Sequence, residues 1–201
     1  MIDELEERRY RIAVWIVIAS EALLFAGLFA LYANYRTEYP HAFGAGVKED
    51  IQWMGGANTF ILLTSSFFIA FAIHLMRQGK AAIASWLLLA VIVCGGAFLV
   101  LKLAEWGQHA HDGIVPGIGY YHGESHGRGT VLFFTLYYFM TGLHALHVIA
   151  GMFLVTWVYL RVRARTITQH NHMALELVAL YWHFVDVVWV FLWPMFYLMR
   201  E

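Results

Sequence analysis

Tyr181-Trp182-His183-Phe184-Val185-Asp186-Val187-Val188-Trp189 sets an imidazole and a carboxylate inside an apolar run that extends from Met173 to Met199. As a helix rising ~1.5 Å per residue, that run measures about 40 Å, enough to cross a hydrocarbon core about 30 Å thick. Ionisable groups at that depth are costly without a partner or a task, so the stretch marks a membrane span and a place to look for function. On a helix His183 and Asp186 share a lateral face. Asp186 then either holds a ring nitrogen of His183, or both side chains address a neighbouring helix.

The rest of the chain has the same character. It is 61% hydrophobic and 13% charged, about half the charged share of an ordinary soluble domain. The net charge is -1, with Lys and Arg in short clusters between apolar runs, so no basic groove for nucleic acid is expected. Cys94 is the single cysteine, which excludes an intramolecular disulfide and a Cys-based zinc or iron–sulfur site. The N-terminal stretch Met1-Ile2-Asp3-Glu4-Leu5-Glu6-Glu7-Arg8-Arg9 is acidic. The apolar run behind it is too long for a cleaved signal and lacks a small-residue cleavage site, so it reads as a retained first span.

Five apolar runs near Ile12–Tyr32, Ala57–Met76, Ile83–Leu103, Val131–Leu160 and Met173–Met199 predict an all-α bundle of five transmembrane helices in one domain over residues 1–201. Between them lie a polar loop at Asn34–Gly56, a tight turn at Arg77-Gln78-Gly79-Lys80, a Gly- and His-rich loop at Trp106–Gly129 and a basic connection at Arg161–His172. Arg8, Arg9, Arg11, Arg77, Lys80, Arg161, Arg163 and Arg165 fall on one side, against Arg36, Lys48, Arg128 and Arg200 on the other. The positive-inside tendency then predicts a cytoplasmic N-terminus and an external C-terminus. Trp53, Trp86, Trp106, Trp157, Tyr159 and Trp193 sit near span ends, as an interfacial aromatic belt would. Trp182 and Trp189 read as packing or lipid contacts, and Pro194 is expected to weaken or bend the last helix.

Glu21 falls about 14 Å into the first span. A bare carboxylate there must be protonated, bonded to another helix, or turned towards a hydrated or lipid-lined crevice. His183 and Asp186 reach a similar depth from the same side, and Thr141-Gly142-Leu143-His144-Ala145-Leu146-His147 carries two more imidazoles in mid-span. Gly142, Ala145, Ala150 and Gly151 allow close helix approach there. These residues predict a polar layer shared by the first, fourth and fifth spans. Lys102 and Glu105, at the outer end of the third span, are expected to form a surface pair of small value.

The chain has 11 histidines, with pairs at His109/His111, His122/His126, His144/His147 and His170/His172. Most of these pairs lie on opposite sides of the predicted membrane, so a common metal or haem site is disfavoured and the loop histidines read as solvated or interfacial. A free-standing membrane metalloprotein built on His144, His147 and His183 is the competing enzyme reading. A proton-coupled carrier is the competing transport reading, against which stands the lack of a visible inverted repeat.

Taken in order, Ser20-Glu21-Ala22-Leu23-Leu24-Phe25, Leu103-Ala104-Glu105-Trp106, Thr141 to Gly151, Glu176 and Tyr181 to Trp189 resemble subunit III of the haem–copper terminal oxidases, in its shorter five-helix bacterial form. The resemblance runs over nearly the whole chain. It implies a non-catalytic, multi-pass subunit of the bacterial inner membrane, in the aerobic respiratory chain. Such a subunit packs directly against subunit I and accompanies subunit II and smaller subunits. Haem and copper belong to those partners, and no catalytic, metal or cofactor-binding residue is expected here. The resemblance further implies bound phospholipids in a cleft, stabilisation of subunit I and support of proton uptake. Glu21, His144, His147, Glu176, His183 and Asp186 match the family's lipid- or proton-linked and inter-helix polar positions. Ala145 and Trp106 depart from the usual Gly and Tyr. The donor, cytochrome c or quinol, is chosen by other subunits.

Overall fold

Six helices follow one another in the computed structural model, which describes residues 2–115 and 127–199. They are α1 (Ile2–Glu38), α2 (Pro40–Glu49), α3 (Gln52–Arg77), α4 (Ala81–His111), α5 (Arg128–Arg163) and α6 (Met173–Tyr197). Five of them, all but α2, are long and apolar enough to cross a membrane. Each satisfies its backbone hydrogen bonds within itself, as a lipid environment requires. The chain is a multi-pass membrane protein, with the five spans where the apolar runs predict them.

The connections differ more than the spans. The polar loop expected at Asn34–Gly56 is mostly helix, because α1 runs on to Glu38 and α2 fills residues 40–49. Pro40 stands in the first turn of α2, where its missing N–H costs nothing. The helix is retained because Phe43 and Val47, one turn apart, are fully buried. In the expected third loop, α4 continues through His111 and α5 begins at Arg128. The pair His122/His126 lies outside the described residues. The tight turn between α3 and α4 is present, with Gly79 at φ +75°, a left-handed conformation that favours glycine.

α3 packs along α4, α5 along α4 and α6, and α6 also against α3, while α1 touches only α2, α5 and α6. α6 is accordingly the most enclosed span and α1 the least. The core between α4, α5 and α6 closes on Trp182, which is fully buried. A Cβ added at Gly151 would come within 2.8 Å of the Trp182 indole, and one at Gly95 within 2.9 Å of Met152 and 3.1 Å of the same indole. Both glycines are therefore required for the close approach of three spans. Of the other small residues on α5, Ala145 is buried while Ala150 faces outward.

Pro194 lies inside α6, which stays helical to Tyr197. The last carbonyls of α6 and of the residues just after it, left without intrahelical partners where the helix ends, are held by other helices. Tyr32 donates to Met195 O (2.6 Å), Arg36 to Met199 O (2.9 Å) and Gln52 to Tyr197 O (2.7 Å). These satisfy orphan acceptors, and the Arg36 cation suits the negative end of the helix dipole.

Candidate functional site

Glu21 on α1 meets His147 on α5, with 3.0 Å between Glu21 Oε2 and His147 Nε2. The other ring nitrogen, Nδ1, lies 2.8 Å from Leu143 O. A carbonyl only accepts, so Nδ1 carries a proton. The Glu21 contact then needs one further proton, as imidazolium with carboxylate or as imidazole with carboxylic acid. Either form leaves the pair neutral overall, which is how two ionisable groups persist at this depth. Phe25 packs edge-on to the His147 ring at 5.4 Å, and the Glu21 side chain remains 29% exposed.

His183 and Asp186 do not pair with each other. His183 Nδ1 bonds Ser66 on α3 at 2.5 Å, and the buried Asp186 carboxyl faces the same Ser66 hydroxyl without a hydrogen bond of good geometry at either oxygen. Of the two arrangements open from the sequence, the one in which both address a neighbouring helix is observed. The polar layer therefore divides: α1 joins α5 through Glu21 and His147, whereas α6 joins α3. Two tryptophans reinforce the second junction, Trp182 Nε1 donating to Ser65 Oγ and Trp189 Nε1 to Thr59 Oγ1, both at 3.0 Å. His144 is fully buried, its ring 5.2 Å from Trp189 and 5.6 Å from Phe98, with no hydrogen-bond partner at either nitrogen. It acts as an aromatic spacer between α4, α5 and α6.

At the basic end, Glu176 on α6 accepts from Arg77 Nη2 at 2.7 Å and lies 3.1 Å from His172 and 3.7 Å from Arg11. It ties α1, α3 and α6 together through partly exposed ion pairs.

The opposite end corrects the surface reading of Lys102 and Glu105. Their side chains are 1% and 0% exposed, 2.9 Å apart. Lys102 Nζ also donates to Tyr137 Oη (2.9 Å) and Tyr197 Oη (2.7 Å), and Tyr197 donates to Glu105 Oε1 (2.7 Å). The groups that enclose them include Tyr137 of α5, Tyr197 at the end of α6 and Asp50, none of which is near Lys102 in sequence. His109, expected to be solvated or interfacial, is buried with its Nε2 3.4 Å from Asp50 Oδ1. Asp50, Glu105 and His109 bring ligand-type atoms within 4.8 Å of one another. Both Glu105 oxygens, however, are already taken by Lys102 and Tyr197. Lys102 and Glu105 neutralise each other. Burial pushes the Asp50 carboxyl well above the usual carboxylate range, the Lys102 charge opposing only in part, so a protonated Asp50 leaves the whole cluster neutral.

Among the described residues, that trio is the convergent group of metal-ligand side chains. It includes none of His144, His147 and His183, whose rings engage Trp189 and Phe98, Glu21, and Ser66 respectively. The buried cluster escaped the sequence reading because burial at a span end depends on what covers it. The three-residue spacing predicts the pair itself, whereas the continuation of α4 for six residues past Glu105 is seen only in the structure.

Comparison with known proteins gives a consistent picture. A family model described as "Cytochrome c oxidase subunit III" matches residues 6–200. "Quinol oxidase subunit 3" of Bacillus subtilis (strain 168) is 28% identical over 189 residues, covering 92% of this chain and 84% of the relative. "Probable quinol oxidase subunit 3" of Staphylococcus epidermidis is 28% identical over 190 residues, covering 94% and 88%.

Proposed function

We propose, because the chain belongs to the cytochrome c oxidase subunit III family, that it is the accessory, non-catalytic subunit that stabilises subunit I of a terminal oxidase. In this reading it holds phospholipid beside Glu21 and supports proton uptake. It lies in a bacterial inner membrane, N-terminus cytoplasmic and C-terminus outside, with haem and copper in the partner subunits. The observation that carries it is the Glu21–His147 pair, a one-proton couple midway along two apolar spans whose carboxyl is partly exposed. Such a couple moves its shared proton between carboxyl and imidazole without changing its net charge, so it stays neutral beside lipid. The weakly enclosed α1, with Trp15, Ile16, Leu23 and Leu24 exposed, offers an apolar flank suited to lipid or to a span of another subunit.

The test is purification of the complex in mild detergent, with optical spectra before and after this chain is separated. Haem absorbance that follows a larger co-purifying subunit, leaving this chain colourless, is the expected result. Colour or metal that stays with the isolated chain would favour the histidine-based metalloprotein instead.

A further inference from the structure

A cavity of about 960 Å³ opens at the basic end of the bundle, between the α3–α4 turn and the connection from α5 to α6. Lys80, Arg163, Arg165 and His170 line it, and no acidic residue does. His170 bonds its neighbour Gln169. Lys80, Arg163 and Arg165 have no acidic partner among the described residues, whereas Arg11 and Arg77 nearby are paired with Glu176. Three unpaired cations around one concavity are mutually repulsive, and an anion between them relieves that repulsion.

The remaining lining points to the kind of anion. Ile83 and Trp86 form an apolar side of the cavity, and both are more than half exposed. Trp86, Val93 and Val100 follow at seven-residue spacing along α4, each about two-thirds exposed, and make a continuous membrane-facing row. The cavity thus joins a cationic pocket at the end of a span, where headgroups lie, to an apolar track running into the bilayer. A soluble anion would use only the first part. A zwitterionic lipid would bring its own cation among three others.

We infer that this cavity is a binding site for one anionic phospholipid, its phosphate among Lys80, Arg163 and Arg165 and an acyl chain along Trp86 and Val93. The site is separate from the lipid position beside Glu21, and it stands whether or not that position is filled. Each basic residue near an anionic headgroup contributes about fivefold in affinity, so preference over a zwitterionic lipid depends on all three.

The intact complex is delipidated and placed in phosphatidylcholine nanodiscs carrying, at equal mole fraction, brominated-chain phosphatidylglycerol or brominated-chain phosphatidylcholine. Trp86 fluorescence is taken as the difference between the native chain and Trp86→Phe. Stronger quenching by the brominated phosphatidylglycerol, lost in the variant Lys80→Gln/Arg163→Gln/Arg165→Gln, is the expected result. The three side chains are exposed, so that variant should fold, and retained oxidase activity checks that it has. Equal quenching by the two lipids in the native complex overturns the assignment, as does a preference that survives the triple substitution. A preference abolished by inorganic phosphate, but not by sodium chloride of equal ionic strength, would give the site to a soluble anion and overturn the lipid assignment.

Discussion

Lys102 shows how far a single buried charge depends on its neighbours. Lys102→Met leaves Glu105 buried without its counter-ion, a loss of about 3–5 kcal/mol by the measure of other buried pairs. Adding Glu105→Leu to the same chain recovers most of that loss, because both charges then leave together. A double variant as unstable as the single one in thermal denaturation would refute the pairing. Asp50 titrates in the direction opposite to most carboxyls. Its raised folded-state pKa means that the folded chain binds the extra proton. Its contribution is intact below the unfolded value near ~3.9 and is lost as pH rises towards the folded value. Asp50→Asn therefore melts close to the native chain at about pH 4 and above it at about pH 8. A native chain that gained on the variant with rising pH would contradict the burial argument. Glu21→Ala, which breaks the one-proton couple, should leave initial oxygen reduction near normal and shorten its persistence over turnover. Immediate loss of all activity in an assembled complex would count against an accessory role.

At the scale of elements, the junction of α6 with α3 and α5 is where substitution should be felt most. Gly151→Val drives a branched side chain into the fully buried Trp182 indole, an overpacking cost of about 1–3 kcal/mol. Unchanged thermal stability and complex yield would show that the two helices can separate there freely. His183→Ala strips Ser66 of its partner, at a cost of about 1–3 kcal/mol. Asp186→Asn removes a buried carboxyl with no good hydrogen bond to lose and should cost less, so the two variants need not fail alike. The spans themselves were legible because length and apolarity suffice to define them in lipid. α2 was not, because a ten-residue helix with two glycines and a histidine has the composition of a loop. Its helicity comes from Phe43 and Val47 docking on residues far along the chain. That His183 and Asp186 share a helix face was legible, but not whether they pair with each other or address a neighbouring helix, nor that Ser66 is the partner, since a serine in an apolar run looks the same whether it is bonded or idle.

For the whole molecule, the two ends of the bundle are built on different principles. One end is exposed, basic and loosely paired around Glu176 and the cavity. The other is sealed, with Lys102, Glu105, His109 and Asp50 buried between the helices. If the basic end faces the cytoplasm, a C-terminal reporter that works only there stays dark; a bright one would invert the molecule.

The sealed end is closed by Met195, Tyr197 and Met199, whose partners Tyr32, Arg36, Gln52, Lys102 and Glu105 lie in α1, α3 and α4. During synthesis those earlier helices emerge long before the ribosome reaches residues 195–199. Until then, Lys102 lacks one of its hydroxyl partners and Tyr32 lacks its acceptor at Met195. Completion of this end is therefore tied to synthesis of residues 195–199, and a copy terminated before Met195 would enter the bilayer with Lys102 and Glu105 lacking the Tyr197 hydroxyl that joins them.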